Sequence, residues 1–280
     1  MAGKLYLVAT PIGNLEDMTY RAVRILKEVN LIAAEDTRNS IRLLNHFDIK
    51  TPMTSYHEHN KYEKADELIS IMLDGKDIAE ITDAGTPGIS DPGEELVKKC
   101  YDAGIEVIPV PGACAAINAL IASGQPTRRF AFEAFLPSDK KERKAVLEAL
   151  KAETRTIIIY EAPHRLLKTL KELVDALGAR EATICRELTK KHETFFKTTL
   201  DKALDYYSEN EPKGECIVII KGLSGEEADR EREKKWEEIS IPDHLKMYIE
   251  QGKDKKEAAK LVAKDRGVSK RDIYEFTIDL

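Results

Sequence analysis

Apolar positions along this chain fall into short runs separated by stretches of helical periodicity. Residues 5–9 read as a buried strand ending at a Pro-Gly turn. Residues 17–29 read as an amphipathic helix with Ala22, Val23, Ile25, Leu26 and Val29 on one side. Further strands are predicted at 31–34, 78–82 and 105–110, and helices at 64–73 and 94–103, the second stopping at Gly104. Residues 113–122 are almost wholly apolar and predict a buried helix. Strands alternating with helices imply an α/β domain over 1–123 with a mostly parallel sheet.

The turn cluster Ser123-Gly124-Gln125-Pro126 marks the first boundary. Beyond it come an apolar-aromatic run at 130–136 and a charged helix at 138–152. A β-branched strand at 156–160 and a helix at 166–177, closed by Gly178, follow. Strands at 183–186, 194–197 and 216–221 complete a mixed α/β domain, 124–224. Residues 225–238 are rich in acids and read as a linker or an exposed helix. Helical patterns at 243–251, 255–265 and 270–278 make 225–280 a linker with a helix-turn-helix-like module. Gly267-Val268-Ser269 is its last turn, with Ser269 as N-cap.

The length of 280 residues suits about two domains. Lys and Arg total 44 against 50 Asp and Glu, a net charge of −6, which as a sum argues against a simple polyanion binder. The distribution changes that picture. Arg165, Arg186, Lys190, Lys191 and His192 gather in the second domain, and 253–271 holds eight basic against three acidic side chains. Such local patches suit a phosphate backbone; a solvated helical face is the alternative for the second one, and the helix-turn-helix pattern favours RNA over it. Four isolated cysteines, with no C-x-x-C pair, suit a reduced cytosol and speak against zinc knuckles and disulfides. His57 and His59 read as a polar loop, so no metal is expected. No apolar run nears the roughly 20 residues that span a bilayer, and 5–9 is too short for a signal peptide.

The most unusual segment is Asp83-Ala84-Gly85-Thr86-Pro87-Gly88-Ile89-Ser90-Asp91-Pro92-Gly93, between a strand and a helix. Ligands bind at the carboxyl ends of strands in open α/β sheets. Gly permits close approach, Pro fixes the loop beforehand, and Thr86 and Ser90 can bond a ribose or carboxylate. Pro111-Gly112-Ala113 and Thr10-Pro11-Ile12-Gly13 occupy equivalent places, so three loops converge on one cleft; tight helix–sheet packing explains the second equally well. G-x-G-x-x-G, the P-loop and the G-x-S-x-G elbow are absent, which weakens dehydrogenase, NTPase and hydrolase readings. Charged clusters stand at strand ends: Ala34-Glu35-Asp36-Thr37-Arg38, Tyr160-Glu161-Ala162-Pro163-His164-Arg165 and Arg186 to Glu193. Each can orient a substrate and move a proton, or be a salt-bridged loop.

The segments Thr10-Pro-Ile-Gly-Asn-Leu15, Ala34-Glu-Asp-Thr-Arg38, Asp83-Ala-Gly-Thr-Pro87, Ser90-Asp-Pro-Gly93, Pro109-Val-Pro-Gly112 and Glu161-Ala-Pro-His-Arg165 resemble the tetrapyrrole-methylase-like family of S-adenosylmethionine (SAM)-dependent methyltransferases. Within it they are most similar to the ribosomal small subunit methyltransferase I group, over residues 3–223, with a similar C-terminal module. The resemblance implies a two-domain fold with SAM in the interdomain cleft, a homodimer, and a cytoplasmic enzyme. Its reaction would be 2′-O-methylation of cytidine 1402 in 16S rRNA of the 30S subunit. It assigns SAM contacts to Pro11, Asp83, Ala84, Gly85, Thr86, Pro87, Ser90 and Asp91, with Pro111, Gly112, Ala113 and Ala115 on the adenosine side. Glu161, Ala162, Pro163, Pro212, Gly214 and Glu215 would close over it. Cys114 departs from the small residues common there but leaves room for the ligand.

A ribose 2′-OH is a weak nucleophile that needs a base or a cation for the developing alkoxide. Glu35, Asp36, Glu187 and His164 are the base candidates; Arg38, Arg165 and Lys190 are the phosphate or alkoxide partners. Two rival readings stay open: a small-molecule methylase of the same fold acting on a tetrapyrrole, and a non-enzymatic nucleic-acid-binding regulator.

Overall fold

Five parallel strands form the first sheet of this computed structural model, which describes residues 2–227, 236 and 239–277. They are β1 (Leu5–Val8), β2 (Leu31–Ala34), β3 (Met53–Ser55), β4 (Ile78–Ile81) and β5 (Val107–Val110), in the order β3-β2-β4-β1-β5. Helices α1 (Tyr20–Glu28), α2 (Thr37–His46), α3 (Lys61–Leu73) and α4 (Gly93–Asp102) cover its two faces. Alternate strand residues serve each face. Leu5, Ala33 and Ile78 pack with Leu68, Met72 and Leu96, whereas Val8, Ile32 and Ile81 pack with Ile25, Leu26 and Leu44.

The second sheet is mixed, in the order β6-β7-β10-β8-β9. Its strands are β6 (Phe130–Phe135), β7 (Thr156–Glu161), β8 (Glu181–Arg186), β9 (Thr194–Thr199) and β10 (Cys216–Ile220). Only β6 and β7 pair in parallel. Helices α6 (Lys140–Leu150), α7 (Pro163–Leu177) and α8 (Leu200–Glu209) cover one face. The other face, through Ile158, Cys185, Ile217 and Ile219, packs on α5 (Ala115–Ala122) and Ile12 of the first unit. The Thr183 hydroxyl also crosses, donating to Ser123 O at 2.9 Å. This two-sheet α/β architecture with a C-terminal helical module is the class the sequence predicts.

Several details differ from expectation. Helix α1 starts at Tyr20 because the Thr19 hydroxyl caps it, accepting from Ala22 N; residues Leu15–Asp17 form a separate 3-10 turn. Helix α7 starts three residues early, at Pro163, whose missing N–H costs nothing in a first turn. Helices α2 and α8 and strand β3 were not predicted. Helix α5 is not buried all round: Ala116, Ala119 and Leu120 face the second sheet, but Ile117 and Ile121 are 41% and 66% exposed. Most of 225–238 lies outside the described residues, so its reading as linker or helix has no structural counterpart here.

The C-terminal module packs α9 (Ile241–Glu250), α10 (Lys255–Asp265) and α11 (Lys270–Tyr274) around Leu245, Val262 and Ile273. Ser269 caps α11 in a reciprocal box with Asp272. Among the described residues, no helix is long and apolar enough to cross a membrane.

Candidate active site

Every strand of the first sheet is parallel, so the loops after β1, β2, β4 and β5 leave along one edge. Backbone bonds lace them together. Thr10 N donates to Gly85 O at 2.8 Å and Gly85 N to Thr10 O at 3.1 Å, while the Thr86 hydroxyl donates to Ala113 O at 2.9 Å. Gly85 has φ +89°, and a Cβ there would meet Ile12 Cγ2 at 3.2 Å. Asp91 turns the loop: its carboxylate accepts from Gly88 N, Ile89 N and Gly93 N at 2.8 to 3.2 Å.

The second unit closes this edge. The Tyr160 hydroxyl accepts from Ala116 N, at the start of α5, at 2.9 Å. The buried Glu161 carboxylate accepts from Ala162 N at 2.8 Å and from the Thr169 hydroxyl at 2.5 Å, and pairs with Arg165 Nε at 3.0 Å. Between the units lies a cleft of about 330 Å³. Of the residues expected to hold a cofactor, Ala84, Gly85, Thr86, Ala115, Glu161, Ala162, Pro163 and Glu215 line it. Pro11, Asp83, Pro87, Ser90, Asp91, Pro111, Gly112, Ala113, Pro212 and Gly214 do not. Some of these shape its walls: a Cβ on Gly112 would stand 2.8 Å from Ala9 Cβ, and one on Gly214 would overlap Glu187 at 2.2 Å.

Sequence reasoning did not single out Phe135, Tyr160, Cys216 or Ile217 as cleft residues. Strand alternation carried the signal for two of them, Tyr160 and Ile217, which share the face toward α5. Tyr160 pairs with Ile217 and Glu161 with Cys216 in the β7–β10 ladder, at the strand ends nearest the cleft.

The charged candidates separate into two groups. Glu35 Oε2 accepts from the Thr82 hydroxyl at 2.5 Å and Asp83 N at 3.2 Å, and Asp83 in turn accepts from Asp36 N and Asn39 Nδ2. Asp36 caps α2 and pairs with Arg38, whose side chain is 88% exposed; these bonds hold the Asp36 carboxyl down near pKa 2. None of the three lines the cleft. Glu187, Lys190 and Glu215 do converge. Lys190 Nζ is 3.1 Å from Glu187 Oε1 and 3.1 Å from Glu215 Oε2, and Glu215 N donates to Glu187 Oε1 at 2.9 Å. The Lys190 stem lies against Gly13, where a Cβ would meet its Cγ at 2.5 Å. Glu187 and Thr189 adopt positive φ to hold this loop. Desolvation opposes both charges. Hydrogen bonds outweigh it, lowering the pKa of Glu187 and raising that of Lys190. His164 is exposed at the start of α7.

Beneath the Asp91 loop, Glu80 of β4 is 3% exposed and its Oε2 lacks a hydrogen-bond partner. Burial, reinforced by Asp91 and Glu35, pushes its pKa up to about 8. The fold therefore keeps a proton that an unfolded glutamate releases near pH 4.5, and stability falls as pH rises from there through about 8. The variant Glu80→Gln removes this dependence. Its stability advantage over the parent, read by chemical denaturation, is expected to be larger at pH 9 than at pH 6; an equal gap at both pH values would contradict the assignment.

Among the described residues, no group of three or more His, Cys, Asp or Glu is placed to hold a metal ion. A model of the tetrapyrrole (corrin/porphyrin) methylases matches residues 4–204. A Halalkalibacterium halodurans protein named ribosomal RNA small subunit methyltransferase I is 54% identical over 272 residues, covering 97% of this chain and 93% of its own. The Bacillus subtilis protein of that name is 49% identical over 273 residues, covering 98% and 93%. Among solved structures, diphthine synthase superposes with a TM-score of 0.64 at 12% identity, covering 81% of this chain and 94% of its own. A Thermus thermophilus uroporphyrin-III C-methyltransferase complexed with S-adenosyl homocysteine gives 0.54 at 22%, covering 78% and 97%; at such identities the likeness is one of fold. The chain belongs to the tetrapyrrole (corrin/porphyrin) methylase family and, within it, to the ribosomal RNA small subunit methyltransferase I group.

Proposed function

We propose that this chain, organised as units 1–123, 124–224 and 225–280, methylates the ribose 2′-OH of cytidine 1402 in 16S rRNA of the 30S subunit, using SAM. The observation that carries this reading is a cleft walled by both α/β units with a charged lysine, Lys190, held beside it by two carboxylates. The residues present fit a nucleoside-bearing ligand. Ile12, Ile89 and Ile217 give apolar walls, Ala84, Gly85 and Ala115 leave room for a flat ring system, and Thr86 and Glu161 supply polar edges. Bound SAM supplies a methyl group already activated on sulfur, so the chain's task is positioning. Lys190, kept protonated, offers its charge to a developing alkoxide, and Glu215 is the carboxylate on the cleft wall within reach of that lysine. Glu35 and Asp36 are tied to backbone and to Arg38, and act by holding the β4 exit.

Such a substrate places the enzyme in the cytoplasm. A homodimer belongs to the same reading, and Ile117 and Ile121 offer an apolar face for a second copy. The C-terminal module supplies RNA affinity through Lys253, Lys255, Lys256, Lys260 and Lys264. Deleting residues 240–280 is expected to weaken 30S binding at least tenfold and leave SAM affinity unchanged; unchanged 30S affinity would count against the module's role. Transfer of label from methyl-labelled SAM into unmodified 30S subunits, with the nucleotide mapped, tests the function itself.

A further inference from the structure

Strand β6 carries an irregularity that core packing does not explain. It pairs with β7 in register through Phe132 and Ile158, then shifts, so that Phe135 faces Tyr160. The shift passes through Ala134, which takes φ +50°, a left-handed conformation unusual for a residue with a Cβ. Bulges of this kind re-aim a side chain. Here the side chain is Phe135, which the shift turns toward the cleft. Its ring is clamped: Tyr160 meets it edge-on with centroids 5.7 Å apart, and the Arg165 guanidinium sits 5.8 Å from its centroid, drawn there by buried Glu161. Despite the clamp, Phe135 remains 50% exposed and belongs to none of the buried clusters. A strained backbone that holds a rigid, half-wet aromatic ring at a cleft is the form of a stacking site.

We propose that Phe135, fixed by Arg165 and Tyr160, is the platform on which the base of the target nucleotide stacks while its ribose enters the cleft. This rests on the function proposed above. The cleft is sunk between two units, so a nucleotide reaches it only when unstacked from its neighbours, and the platform replaces the lost stacking. Arg165, 38% exposed at its side chain, adds a cation beside the base and its phosphate.

Steady-state labelling of unmodified 30S subunits by the full chain tests the proposal, with Phe135→Ala, Phe135→Leu and Phe135→Trp compared to the parent and SAM affinity measured by calorimetry. Stacking by one base is worth about 5- to 150-fold. The Ala and Leu variants are expected to raise KM for 30S by at least about fivefold. Their SAM affinity should stay within about twofold, and Trp should restore the parent KM. Leu behaving like the parent would overturn the proposal, because apolar contact would then suffice. Weakened SAM affinity with unchanged KM for 30S would overturn it by placing the ring on the cofactor. No label from the parent chain would overturn the functional reading and this proposal together; normal label with an unaffected Ala variant would overturn this proposal alone.

Discussion

Replacing Lys190 with alanine is expected to cut kcat for methyl transfer about 10²- to 10³-fold, the cost of removing one charged donor from a developing oxyanion. SAM affinity should change no more than about threefold, because the lost charge acts on the developing alkoxide. The surroundings of this side chain support a chemical role. Two carboxylates hold Nζ at 3.1 Å each, and two glycines yield space for the arrangement, Gly13 to the Lys190 stem and Gly214 to Glu187. Glu187 and Thr189 adopt positive φ to complete it. A salt bridge of stability value alone would not justify such backbone strain, since partly exposed pairs contribute about 1 kcal/mol or less. Lys190→Arg keeps the charge and should recover part of the rate, whereas loss of SAM binding in Lys190→Ala would mark the residue as structural. Single-turnover measurements with 30S subunits separate the two outcomes.

The second large effect is expected at Gly93, the first residue of α4. An added Cβ would stand 2.8 Å from Glu80 Oε1, 2.9 Å from Asp91 Oδ1 and 2.9 Å from Gly88 N. Gly88 N is backbone, and Asp91 is the hub that holds the loop, so the loop itself must move. Ala84, Gly85, Thr86 and Ile89 of that loop line the cleft. Gly93→Ala should therefore cost about 1–3 kcal/mol of stability, as overpacking does. It should also weaken SAM binding at least tenfold. Gly88→Ala is the control. Nothing lies within 4 Å of a Cβ there, so only the strain of φ +83° is paid, about 1–2 kcal/mol. Calorimetric SAM titration and thermal unfolding of both variants check this; equal SAM affinity in Gly93→Ala and the parent would contradict the account.

Most strands and helices of both sheets were legible, the strands best where short, mainly apolar runs are buried on both faces, as in 78–81 and 216–220. Helix α2 was hidden by its composition: Ser40 and Leu44 are its only buried residues, and its start depends on Asp36, which as a sequence feature looks like chemistry. Strand β3 is three half-buried residues, too short for a pattern. Helix α8 did carry a pattern, with Leu200, Ala203 and Tyr207 buried at helical spacing. The converging Gly/Pro loops were readable at Gly85 and Thr86. Sequence could not tell that Glu35 and Asp36 are taken up by Thr82, Arg38 and the backbone while Glu187, Lys190 and Glu215 meet, because the first depends on how β2 pairs with β4 and the second on how β8 pairs with β10. Phe135 was hidden for a related reason, since its direction is set by a bulge.

Net charge is a weak guide here for the same spatial reason. A chain at −6 still has local basic patches around 165–192 and in the last three helices, so its binding to 30S subunits should depend on docked geometry, with low affinity for bulk nucleic acid.

Incubating the chain with methyl-labelled SAM and unmodified 30S subunits, and mapping the modified nucleotide, reads the reaction and its target together. One methyl group per subunit is expected, on the 2′-oxygen of cytidine 1402, with no label in a porphyrin offered in parallel. Label on a base, on a porphyrin, or on no component of the 30S subunit would contradict the proposed function.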